Sequence, residues 1–167
     1  ARIAEAFTGM THLTGDPDGS PGLSGSSGLA DYLAGIYGAL GVLLAARSRD
    51  ETGRGQLVDV ALYDGVARIL DELLPVFAAT GMGRERMGPE THRSVPHSNY
   101  RAADGRWLTI ACTNDRMFGH LAAVMGRSDL LDDDRYATNQ ARIARRDEVN
   151  VLVGDWVAGL EAGAVVD

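Results

Sequence analysis

Asp31 stands where a run of small residues, Ser26-Ser27-Gly28, meets a long apolar segment that begins at Leu29. A carboxylate in the first turn of a helix is held by the positive end of the helix dipole and faces whatever lies beyond that end. It can satisfy the orphan N–H groups of the turn. It can also attack an electron-poor carbonyl and store the acyl group covalently. Position alone favours capping. Arg84, Arg86 and Arg93 form a second candidate constellation with Gly81, Gly83 and Gly88. A basic, glycine-rich loop of this kind either covers a bound anion or is simply solvated. His92 and His97 lie beside it. Five residues apart in a loop is no metal-ligand spacing, which leaves contact with a carboxylate as their functional reading.

Other motifs carry less. Thr52-Gly53-Arg54-Gly55-Gln56 looks like a phosphate cradle, but it leaves a helix and enters an extended run. A phosphate loop needs the opposite order, so a helix stop and turn is the better reading. Asp59, just beyond it, reads as a hydrogen-bond anchor. His12, near a helix end, reads as structural. Cys112 is the only cysteine; it follows Ile110 and Ala111 and reads as a buried strand thiol. No Cys/His cluster has zinc spacing, so no metal site is expected.

The periodicity of the chain supplies the elements that must position these residues. Ile3, Ala6, Phe7, Met10 and Leu13 predict a helix over 2–13. A loop rich in Gly, Pro, Ser and Asp follows to residue 28. The segment 29–49 is apolar nearly all round, so it predicts a helix buried inside something larger. Gly35, Gly38 and Gly41 thin one of its faces for close packing. Alternation over 56–61 predicts a strand, and 63–79 a helix. Residues 80–96 have no period and read as loop. Strands over 98–102 and 106–112 flank Ala103-Asp104-Gly105, a hairpin signal. Helices are predicted over 114–125 and 138–157, the second with Arg142, Arg145 and Arg146 facing outward. Tyr100, Trp107 and Phe118 read as core of the second part.

Composition bounds the function. All 16 cationic residues are arginine, and the net charge is −7. That balance argues against a general nucleic-acid binder. No uninterrupted run of about 18 apolar residues occurs, so no membrane span is expected. A single thiol and the absence of a secretory-type leader predict a reducing cytoplasm.

Several stretches, in this order, resemble the class III CoA-transferase family of the CaiB/BaiF type: Gly9-Met10-Thr11-His12-Leu13-Thr14-Gly15, Ala30-Asp31-Tyr32-Leu33-Ala34-Gly35 and Thr52-Gly53-Arg54-Gly55-Gln56-Leu57-Val58-Asp59-Val60. Tyr100-Arg101-Ala102-Ala103-Asp104-Gly105-Arg106-Trp107 follows, then Asn114-Asp115 with Phe118, then Arg135-Tyr136-Ala137-Thr138-Asn139 with Arg142, Arg146 and Asp147. The family includes formyl-CoA, carnitine and mesaconate CoA-transferases and 2-methylacyl-CoA racemases. No single stretch is specific; their order and spacing cover nearly the whole chain.

The resemblance implies a central segment of a longer enzyme. Its fold would be α/β: residues 1–80 at the edge of a Rossmann-like CoA-binding large domain with a connecting helix, and 88–167 as a smaller α+β domain, in an interlocked homodimer. Asp31 falls at the family's catalytic aspartate, which reverses the preference for capping. The implied reaction moves CoA between carboxylic acids through an aspartyl-CoA thioester, with acyl-CoA and a carboxylic acid as substrates and no permanently bound cofactor. Arg84, Arg86 and Arg93 would meet the CoA phosphates or the acyl group, and backbone N–H groups of 25–28 would stabilise oxyanions. Gly88-Pro89-Glu90-Thr91-His92 replaces the consecutive glycines of formyl-CoA-type members, which puts oxalate or formate specificity in doubt. The rival readings are a 2-methylacyl-CoA racemase with Asp31 as acid/base, and an inactive fragment serving as an interaction module. Activity of the isolated segment is expected to be low, because the sections that bind most of CoA would lie outside it.

Overall fold

The computed structural model describes residues 1–25, 28–70 and 72–166, which form two compact units, Ala1–Gly88 and Pro89–Asp167.

The first unit is helical. α1 (Arg2–Phe7) and α2 (Met10–Leu13) stand where one helix was predicted. Gly9 separates them at φ 87°, a left-handed conformation that costs glycine little. The buried face matches the predicted one only in part: Met10 is inside as expected, but with Ala4 and Glu5, whereas Ile3 and Phe7 are exposed. Ile3 and Phe7 line an open apolar groove with Leu62 and Tyr63, and the Phe7 and Tyr63 rings lie 5.2 Å apart. α3 (Leu29–Thr52) runs 24 residues and stops at Gly53 in the left-handed region (φ 71°), whose N–H closes on the Arg49 carbonyl. α4 (Leu62–Ile69) and α5 (Leu73–Thr80) replace the single helix predicted over 63–79. Asp64 fixes the start of α4 by accepting from the Ala61 N–H at 3.0 Å.

α4 packs closely on α3 through a glycine. A methyl placed on Gly65 would lie 2.6 Å from Leu33 Cβ and 3.3 Å from the Tyr37 ring. Val58 similarly occupies the space above Gly41, while Gly35 and Gly38 face open space. The helix predicted to be buried is therefore clamped on one side only; Ile36, Leu40, Leu43 and Leu44 are exposed in this chain. By length and average composition α3 is apolar enough to cross a membrane, although Gly and Tyr interrupt its apolar runs. Residues 56–61 form no strand. A strand exists only by pairing, and no second strand of this unit lies beside it among the described residues.

The second unit is α+β. β1 (His97–Arg101) pairs antiparallel with β2 (Trp107–Ala111), in register from His97 opposite Ala111 to Arg101 opposite Trp107. Gly105 takes φ 82° in the connecting turn. Asp104 ties that turn through Arg106, which holds its carboxyl down to about 2. Tyr100 points into the core; Trp107 does not, a correction set by strand alternation, which turns Trp107 and Thr109 outward and Leu108 and Ile110 inward. α6 (Asp115–Val124) is capped by Asn114, whose side chain accepts from the Met117 N–H at 3.0 Å. A 3-10 turn over Ser128–Leu131 follows. α7 (Asn139–Ile143), α8 (Arg146–Ala158) and α9 (Ala162–Val166) complete the unit. Val95, Tyr100, Phe118, Val149, Val153 and Val157 centre the core. Cys112 is buried there, and burial pushes its thiol up, away from nucleophilic use.

The break between α7 and α8 corrects the helix predicted over 138–157, and Arg142 corrects its outward face. Arg142 is 0% exposed. Its guanidinium donates to the Val95 carbonyl at 2.8 Å, the Tyr136 carbonyl at 2.7 Å and Asp115 Oδ1 at 2.8 Å. It also lies 4.1 Å above the Phe118 ring. Arg145 is exposed as expected, while Arg146 is half-buried against Glu90.

Candidate active site

Asp31 occupies the first turn of α3, as its sequence context predicts. The turn begins at Gly28, which has no side chain with which to cap it. Glu5 reaches across from α1, and its Oε1 accepts from the Ala30 N–H at 3.5 Å. The Asp31 side chain remains 62% exposed, with Oδ1 3.6 Å from the Ala1 amino group. Its other oxygen folds over Gly28: a methyl there would lie 2.6 Å from Asp31 Oδ2 and 2.9 Å from Ala1 Cβ. Ala30 beside it is fully buried and joins Ala4, Met10 and Val66 in the core of the unit. An exposed carboxylate at the positive end of a helix, with a neighbouring side chain serving one of the turn's backbone donors, is available for chemistry.

The arginine loop is built differently from its sequence reading. Arg84 Nη1 donates to Glu72 Oε1 at 2.5 Å. Arg86 donates to the carbonyls of His12 at 2.8 Å and Asp16 at 3.3 Å. Both side chains thus tie residues 84–86 to earlier parts of the first unit, and their described contacts do not include Asp31. The same stretch anchors His12, whose Nε2 lies 3.0 Å from Glu85 Oε2. Arg93, His92 and His97 belong to the second unit. His97 is half-buried, with Nδ1 3.2 Å from Ser94 Oγ, and the Arg93 carbonyl accepts from Asn139 Nδ2 at 2.8 Å. Of the loop expected to stabilise oxyanions, Ser26 and Ser27 lie outside the described residues. Among the described residues no three His, Cys, Asp or Glu side chains converge to hold a metal ion.

Glu5 is the residue that sequence reasoning missed. Its only signal was a charge between two alanines, in a helix whose apolar face was assigned to Ile3 and Phe7.

The family model for CoA-transferase family III matches residues 2–167. The chain belongs to this family. The alpha subunit of succinyl-CoA–L-malate CoA-transferase of Chloroflexus aurantiacus is 44% identical over 166 residues, covering 99% of this chain and 39% of that protein. Acetyl-CoA:oxalate CoA-transferase of Acetobacter aceti is 33% identical, covering 90% of this chain and 39% of that protein. A CaiB/BaiF family protein from Brucella suis superposes with a TM-score of 0.78 at 31% identity, over 99% of this chain and 43% of that one. The mixed helical and small-sheet fold is thus that of CaiB/BaiF family structures. The chain spans about two fifths of the length of these relatives. Family III membership is carried by both units, since the match runs from α1 through α9.

Proposed function

We propose that this chain supplies the nucleophile of an acyl-CoA:carboxylate CoA-transferase, and that Asp31 is that nucleophile. The observation that carries the reading is the exposed Asp31 carboxylate at the start of α3 in a family III chain. An Asp31 oxygen adds to the thioester carbonyl of the donor acyl-CoA, and the C–S bond breaks to give a mixed anhydride and CoA thiolate. The thiolate then adds to the aspartyl carbonyl and expels the donor acid as its carboxylate, leaving an aspartyl-CoA thioester. The acceptor carboxylate attacks that thioester to give a second mixed anhydride and thiolate. The thiolate takes the acceptor acyl group, and Asp31 returns as a carboxylate. Every step exchanges one carboxylate or thiolate for another, so no net proton, redox partner or metal is consumed.

Succinyl-CoA is the proposed donor and a dicarboxylate the proposed acceptor class; the names of several relatives, among them succinyl-CoA:mesaconate CoA-transferase of Haloarcula hispanica, support this choice. Arg84, Arg86 and Arg93 are carried forward as proposed contacts to CoA or the acyl group. Arg84 would have to leave Glu72 to serve. The exposed apolar face of α3 is proposed to pack within a homodimer of the full-length protein, in the reducing cytoplasm consistent with the lone thiol Cys112.

The test is CoA exchange by the full-length protein between succinyl-CoA and a panel of mono- and dicarboxylates, with mass detection of an adduct on Asp31. Exchange together with an aspartyl-CoA adduct is expected. Exchange of the α-proton without movement of CoA would instead support racemisation.

Gly28→Ala probes the same geometry. The backbone there, at φ −73°, accepts alanine, and the added methyl pushes on both Asp31 Oδ2 and Ala1 Cβ. Transfer is expected to fall by about 10- to 100-fold, the range for a misplacement of about 1 Å. Wild-type kcat in that variant would mean that the carboxylate does not react from this position.

A further inference from the structure

We propose that Glu5 is the positioning residue that aims Asp31, an inference that rests on Asp31 being the nucleophile. The first four N–H groups of a helix have no partner within it, and the residue at the cap normally supplies one from its side chain. α3 begins at glycine, so that supply must come from elsewhere. Glu5 provides it from α1, through Oε1 on the Ala30 N–H at 3.5 Å. Glu5 is only 3% exposed. Burying a carboxylate is costly unless donors or a dipole compensate it, and the positive end of α3 is the compensation present here. The cost is retained at the one place where it bears on the reacting group.

Two consequences follow from the geometry. The amide that Glu5 holds belongs to the residue immediately before Asp31, so it fixes the peptide plane from which the Asp31 side chain departs. Glu5 also takes over capping of that amide, and among the described residues no backbone N–H donates to the Asp31 side chain. α1 can serve as a firm anchor because Ala4, next to Glu5, is packed with Val66 of α4 and Ala30 of α3.

The critical feature is therefore the reach of the side chain more than its charge. Glu5→Asp keeps the charge and withdraws the oxygens by one methylene; Glu5→Gln keeps the reach and removes the charge. In the full-length enzyme, kcat per active site, counted by the aspartyl-CoA adduct, is expected to fall about tenfold in Glu5→Asp with KM for acyl-CoA within about twofold. Glu5→Gln is expected to recover kcat to within about threefold. A merely structural Glu5 would change the melting temperature and the number of competent sites, not the rate at each site. Wild-type kcat per site in Glu5→Asp, or an equal loss in both variants, overturns the proposal. Absence of any Asp31 adduct in the wild-type enzyme would overturn the nucleophile itself, and so is distinguishable from failure of Glu5 alone.

Discussion

Asp31→Ala in the full-length enzyme is expected to lower CoA transfer by on the order of 10⁴-fold or more, the scale seen when a covalent nucleophile is removed. The fold should survive. The side chain is largely exposed, and the Ala30 N–H beside it is served by Glu5. What is lost structurally is one negative charge at a helix N-terminus, worth about 0.3–1 kcal/mol. Kinetics and thermal melting should therefore separate cleanly: activity at background, melting temperature lower by a few degrees at most. Turnover within tenfold of wild type would sink the assignment. So would a collapse in stability, because it would make Asp31 the cap that position alone suggested.

The second large effect concerns stability. Arg142→Ala is expected to destabilise the second unit by about 3–5 kcal/mol. The guanidinium is wholly buried and satisfies the Val95 and Tyr136 carbonyls as well as Asp115. Truncation leaves those carbonyls without their donor and opens a void beside the Phe118 ring. Against a typical total of about 5–15 kcal/mol, such a loss is a large fraction. Arg142→Lys should rescue little, since a single ammonium cannot reproduce a planar fork aimed at three acceptors. Both tryptophans, Trp107 and Trp156, lie in this unit, so urea unfolding followed by their fluorescence reports on it directly. A loss under about 1 kcal/mol in Arg142→Ala would show that the network contributes little.

The contrast between these residues marks what could be seen in the amino-acid order. The hairpin was legible because its signals are local: a turn at Asp104-Gly105 between two alternating runs. So was the start of α6, where Asn114 caps a helix three residues ahead of the N–H it accepts. Arg142 was not legible. Its three acceptors belong to Val95, Tyr136 and Asp115, and only the fold brings these distant positions together. On a helical wheel it looks like any surface arginine. Glu5 escaped for the same reason, since the amide it holds lies 25 residues further along. The unformed strand at 56–61 is a different kind of miss. Alternation records a residue's preference for a sheet, and that preference cannot produce one without a neighbour to pair with. Asp31 is singled out only by the ordered family stretches around it; its own position assigns it to capping.

At about 1.5 Å per residue, the 24 residues of α3 make a rod some 36 Å long with Asp31, the proposed nucleophile, at one end. Where that rod is gripped decides how steady Asp31 is. The tight contacts of Gly65 with Leu33 and Tyr37 grip it within two turns of Asp31, and Val58 grips it again at Gly41. Both grips lie nearer to Asp31 than to Gly53. A tilt about them moves the Gly53 end through the longer arm and Asp31 through the shorter one, so motion at the far end of the helix reaches Asp31 reduced.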